Sequence, residues 1–110
     1  MTWNNHGQEL KDGKKEMLFS ELHSLLTSGL DFGRSFRLLI EGEGDKHLTR
    51  LLESRYASVV KGKTLWESFA GSKRFSALDC GVLRIGEETG RIDESLRFLA
   101  DYYHKRIEQR

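Results

Sequence analysis

The sequence predicts an all-α fold, an antiparallel six-helix bundle, and three observations lead there. Apolar residues recur at three- and four-residue spacing in six separate windows. No window alternates with period two for long enough to make a strand. Glycines punctuate the gaps between windows, and proline is absent, so nothing forces a break inside a helix. Short glycine-containing turns between amphipathic helices are the pattern of an antiparallel bundle.

The opening residues 1–13 are polar without sustained periodicity and are expected to form a flexible arm, with Trp3 as its candidate docking group. The helical domain is expected to span residues 14–110. Its first helix starts near Lys14, carries Leu18, Leu22, Leu25 and Leu26, and stops at Gly29. Asp31 is placed to cap a second helix with Phe32, Phe36, Leu39 and Ile40, which ends in the run Glu41 to Gly44. A longer third helix carries Leu48, Leu51, Leu52, Tyr56, Val59 and Val60 and closes at Gly62. Thr64 and Glu67 have capping-box spacing ahead of a short fourth helix with Leu65, Trp66 and Phe69, stopping at Gly71. The fifth helix is read with Phe75, Leu78, Val82 and Ile85 on its apolar stripe. The sixth carries Ile92, Leu96, Leu99, Tyr103 and Ile107. Leu22, Leu39, Leu52, Phe69, Val82, Leu96 and Leu99 are expected in the core.

Composition narrows the function. A formal net charge of +1, from 18 basic and 17 acidic residues, lacks the basic excess of a nucleic-acid binder. Cys80 is the single cysteine, so no internal disulfide forms, and its place beside an apolar stripe reads as a small core residue. The absence of a membrane-length apolar run and of a signal peptide leads to the expectation of a soluble, cytoplasmic domain. His6, His23, His47 and His104 are scattered with no second ligand at metal spacing, so no zinc site is expected. No phosphate-cradling loop, calcium loop or nucleophile elbow is present, and the chain reads as a non-enzyme without a cofactor.

One stretch asks for more than packing. GEETGRIDES, Gly86 to Ser95, sets acidic residues around two glycines at the corner between the last two helices. Asp93 and Glu94 fall in a first helical turn, where the dipole favours negative charge. Glu87 and Glu88 fall in a last turn, where it does not. Arg84 and Arg91 are within reach as internal partners. The other reading has Glu87, Glu88 and Asp93 facing outward, for a basic partner surface or a weakly held divalent ion. Gly86, Thr89 and Gly90 then set the shape of the corner. On that reading, removing Glu87 or Asp93 should leave the melting temperature nearly unchanged.

From Phe19 to Tyr103 the chain resembles the cytoplasmic domain of the type II secretion system F family. Phe19, Leu22, Leu25, Leu26 and Gly29-Leu30 look like the family's opening helix and turn. Gly86-Glu87-Glu88-Thr89-Gly90, then Ile92-Asp93, Leu96, Leu99, Ala100 and Tyr102-Tyr103, resemble its most specific motif. The segment Gly71 to Arg74 departs from the family pattern in lacking a proline. The resemblance implies a non-catalytic scaffold domain of an inner-membrane platform protein in type II secretion or type IV pilus assembly. Its implied partners are the assembly ATPase and other platform components, with a homodimer through helical faces also compatible. It implies an excised domain on the cytoplasmic face of the bacterial inner membrane, with membrane helices outside this chain and the basic end Lys105, Arg106 and Arg110 preceding one of them. The alternative is a free-standing helical regulator, such as a nucleic-acid-binding bundle.

Overall fold

The Lys15 side chain lies on the same helical stripe as Leu18, Phe19 and Leu22, and it is as fully buried as they are. The computed structural model describes residues 8–109, so Trp3, His6 and Arg110 lie outside the described residues. Six helices are present among those described: α1 Asp12–Thr27, α2 Phe32–Gly42, α3 Lys46–Val60, α4 Leu65–Ala70, α5 Ala77–Thr89 and α6 Ile92–Glu108. They contain no strand. Each helix packs on the next in sequence, and α1 packs along α6 to close the circuit. The α1–α6 pair runs in opposite directions, because Asp12 meets Arg106 at 3.3 Å and Glu16 meets His104 at 2.8 Å.

Local chemistry explains the helix ends. Asp31, Asp45, Thr64 and Ser76 each accept a backbone N–H of the helix they precede, and Thr64–Glu67 and Ser76–Asp79 form reciprocal capping boxes. Gly29, Gly62 and Gly90 end α1, α3 and α5 with positive φ, a conformation that strains any residue with a Cβ.

Ordered structure begins earlier than the polar composition of residues 1–13 suggests. Leu10 is buried, its amide donates to the Arg74 carbonyl at 2.8 Å, and Asp12 opens α1. A single leucine in a polar run gives no periodicity, so its burial was not readable as a pattern. Of the expected core residues, Leu22, Leu39, Leu52, Phe69, Leu96 and Leu99 are buried, whereas Val82 is only half-buried and Leu83 takes the core position. The stripe read for α5 is therefore one residue out of register. Leu78 and Ile85 are 40% and 64% exposed, while Asp79, Leu83 and Gly86 face inward.

The reason is electrostatic. Lys15 Nζ bonds Asp79 Oδ2 at 2.6 Å, Glu9 Oε2 at 2.6 Å and the Tyr103 hydroxyl at 3.1 Å, which uses all three of its donors. Tyr103 donates to Asp79 Oδ1 at 2.5 Å, and the Ser76 amide donates to Asp79 Oδ2 at 2.9 Å. Lys15 and Asp79 both have fully buried side chains. An ion pair that deep must be completely hydrogen-bonded to be tolerated, and the facing positions of α1, α5 and α6 are fixed by that demand.

Aromatic rings extend the contact outward. Tyr103 stacks on Phe19 with centroids 6.2 Å apart, Phe19 meets Phe75 at 6.3 Å, and Phe75 stacks on Phe69 at 4.1 Å. Phe69 then meets Phe36 at 6.5 Å, and Phe36 stacks on Tyr56 at 5.3 Å. This chain of rings runs from α6 through α1 and α4 to α2 and α3.

Stability should depend on alkaline pH through the buried cluster. Burial opposes the Lys15 ammonium, but its bonds to Asp79, Glu9 and Tyr103 outweigh that and raise its pKa above 10.5. Burial, helped by the bond to Asp79, pushes the Tyr103 hydroxyl up to about 12 from 10.0. Both groups hold their protons longer folded than unfolded, so their contribution is complete below pH 10.0 and is lost as pH rises through the folded values. Denaturant titrations should show a plateau in unfolding free energy below that point and a steep decline above it. Tyr103→Phe should make the decline shallower.

Candidate functional site

Gly86 is the point of closest approach between α5 and α6. A Cβ there would lie 2.2 Å from Ser95 Oγ, 2.8 Å from Ser95 Cβ and 3.1 Å from the Arg91 carbonyl. Ser95 is buried against it and donates to the Val82 carbonyl at 2.8 Å. Gly90 follows with φ of 72°, and the amides of Gly90 and Arg91 both donate to the Gly86 carbonyl. Thr89 Oγ1 donates to the Ile85 carbonyl at 2.7 Å, using up its hydroxyl within the last turn. A close crossing, a left-handed residue and a hydroxyl bonded within the turn make this a rigid corner.

The acids of the corner do not act as a set. Glu87 is turned inward and is half-buried, its carboxylate accepting the Leu65 amide at 2.8 Å and the Trp66 amide at 2.7 Å. Those are the first two amides of α4, which have no partner inside their own helix. Glu87 therefore caps α4 from across the fold, beside the Thr64 cap, and Arg84 lies over the Trp66 ring at 5.0 Å. The expectation that Glu87 faces outward is corrected accordingly. Glu88 pairs with Arg84 at 2.8 Å, and Arg91 reaches Glu94 at 3.6 Å rather than Glu87. Asp93 is exposed in the first turn of α6. Among the described residues no three His, Cys, Asp or Glu side chains are grouped to hold a metal ion.

Beside the corner lies apolar surface. Leu78, Val82 and Ile85 follow one another along the outer side of α5, and Phe98, 53% exposed, stands across from them on α6. Val82, Ile85, Gly86, Ser95 and Phe98 line a shallow groove of about 390 Å³, with Thr89, Arg91 and Glu94 at its corner end. Cys80 is half-buried against the core; burial first, then the neighbouring Asp79 charge, pushes its thiol pKa up, which keeps the sulfur protonated and unreactive. His104 bridges Glu16 at 2.8 Å and Glu108 at 2.5 Å on the surface, and these acids raise its pKa. Its contribution to α1–α6 packing is complete below pH 6.5 and fades as pH rises through the raised value.

The groups that sequence reasoning missed are Lys15 and Asp79. Signals for both were present: Lys15 sits three residues before Leu18 on the apolar stripe, and Ser76–Asp79 has capping-box spacing.

Three substitutions separate the roles of the corner. Glu87→Ala should lower unfolding free energy by about 1–2 kcal/mol, through loss of the α4 cap. Gly86→Ala should cost about 1–3 kcal/mol by overpacking against Ser95. Asp93→Ala should stay within about 0.5 kcal/mol of the parent chain. Urea unfolding curves with unchanged slopes would measure all three.

A family model described as "Type II secretion system (T2SS), protein F" matches residues 18–110. The match takes in most of α1 and all of α2 to α6, the corner included. Proteins of this family are structural platform components associated with the inner membrane. No described helix of this chain is itself long and apolar enough to cross a membrane. The chain belongs to the type II secretion system protein F family and forms a helical domain of a secretion or type IV pilus platform protein.

Proposed function

We propose that this domain is a non-catalytic scaffold that docks the assembly ATPase and other platform components on the cytoplasmic side of the inner membrane, through the α5–α6 face of an antiparallel bundle. The observation that carries this reading is the exposed apolar ridge of Leu78, Ile85 and Phe98 next to a rigid corner. A folded domain gains nothing by leaving three large apolar side chains in water along two adjacent helices, and a contiguous patch of this kind marks an interaction surface. The corner fixes the angle between α5 and α6, so the groove between them is preformed and little is lost in ordering it. Glu94 stands at the corner end of the groove, and Glu88 and Asp93 are exposed on the adjoining turns, where charge sets orientation and encounter rate more than affinity.

A scaffold of this kind needs no cofactor and performs no reaction. Cys80 is protonated and half-buried, and Lys15 and Asp79 are fully engaged with each other and closed off from solvent. None offers a substrate the open, polarised group that catalysis needs.

In the full-length platform protein, Ile85→Glu and Phe98→Glu should each weaken binding of the assembly ATPase or a platform component by about 2 kcal/mol. That is roughly thirtyfold in Kd. The melting temperature of the domain should not fall, because neither side chain is in the core. Parental affinity and normal assembly in both variants would contradict the assignment. Glu88→Ala and Asp93→Ala should mainly slow association.

A further inference from the structure

A second surface lies away from the α5–α6 face, and its charge is of the opposite kind. Two adjoining cavities, of about 380 Å³ and about 210 Å³, share His47 and Arg74 in their walls. Lys11 and Lys14 line the larger and Arg50 the smaller, so four permanent cations and one histidine surround a continuous groove. Two acids are present in its walls, and both are committed to the fold. Glu9 is bonded to Lys15, and Asp45 caps α3 through the amides of His47 and Leu48; Lys14 lies 3.9 Å from both Asp45 and Glu43, so its charge is already partly met. The Leu48 amide first among these holds the Asp45 carboxyl below its usual range. Lys11 and Arg50 are exposed, and neither enters an ion pair among the described residues. The floor is apolar, from Leu10, Leu48 and Leu51.

We infer that this groove binds an acidic peptide segment of a partner protein, one in which carboxylates alternate with apolar side chains. The inference goes beyond the α5–α6 reading and rests only on the chain being a docking domain. Charge complementarity selects carboxylates, and the leucine floor selects a segment that also offers apolar side chains to the groove. The concavity does not suit a flat bilayer. A near-neutral chain with two acids in the groove wall lacks the continuous cationic track that a nucleic-acid backbone follows. One wall, from Gln8 to Lys14, precedes the residues matched by the family model, so the groove is completed by a segment outside that match.

A fluorescently labelled peptide of alternating glutamate and leucine, titrated against the whole 110-residue chain, tests this by anisotropy. The peptide should bind, with affinity falling as salt is raised. A glutamine–leucine peptide of equal length should not bind. Lys11→Glu and Arg50→Glu should each weaken binding by about tenfold, with unchanged melting temperatures, since neither side chain holds the fold together. Arg97→Glu and Ile85→Glu, on other faces, should leave it unaltered. The inference is overturned if the acidic peptide fails to bind or if both groove variants bind it as the parent does. It is equally overturned if a single-stranded oligonucleotide or phosphatidylglycerol vesicles bind more tightly with the same sensitivity to Lys11 and Arg50. Loss of platform binding by Ile85→Glu alongside no peptide binding would sink the groove and leave the α5–α6 assignment standing.

Discussion

The ion pair between Lys15 and Asp79, buried with Tyr103, is the constraint on which the arrangement of the helices depends. Both side chains are closed off from water, and each charge would be costly there without the other. Their positions are therefore coupled. α1 must turn Lys15 inward, α5 must turn Asp79 toward it, and α6 must bring the Tyr103 hydroxyl between them. Asp79 serves twice, since the same carboxylate completes the capping box that starts α5. The start, the rotation and the neighbours of that helix are thus set at one residue. The ring stack from Tyr103 to Tyr56 carries the arrangement on to the helices that hold no buried charge.

The rotation of α5 shapes the surface of the molecule. Successive residues of a helix are turned by about 100°, so a helix that must bury Asp79, Leu83 and Gly86 cannot also bury Leu78, Val82 and Ile85. The apolar stripe is displaced to the surface, where it meets Phe98 of α6. On this account the apolar α5–α6 face, proposed above as the docking surface, is a by-product of the ion pair. An electrostatic demand inside the molecule leaves a hydrophobic surface outside it. Gly86 and Ser95 then allow α6 to approach so closely that the exposed side chains of both helices border one groove.

Most helices were legible from the sequence because their cause is local. Capping residues at Asp31, Thr64 and Gly90 and the spacing of leucines act within a few residues, and the observed elements follow them. What was not legible depends on distant partners. The stripe of α5 is truly amphipathic, yet the side that faces in is the one carrying Asp79 and Gly86, whose partners Lys15 and Ser95 lie on other helices. Glu87 looked misplaced at the end of a helix because the amides it caps belong to another helix, 21 and 22 residues earlier in the chain. Leu10 appeared isolated in a polar arm because its binding partner is the Arg74 carbonyl. The family motif was visible at the corner, while the geometry that gives Glu87 its internal task was not.

The central claim is that Lys15 and Asp79 act as one unit, and a double-mutant cycle on the pair tests it most directly. Lys15→Met and Asp79→Leu would be made singly and together, and unfolding free energies compared by urea denaturation. Lys15→Met leaves the buried Asp79 without its cation, Asp79→Leu leaves the buried Lys15 with Glu9 as its one remaining carboxylate, and each change should cost about 3–5 kcal/mol. The double variant should be far more stable than the sum of the two losses, with a coupling of at least about 2 kcal/mol. Additive losses would show that the two residues are stabilised independently, and the rotation of α5 would then need another cause.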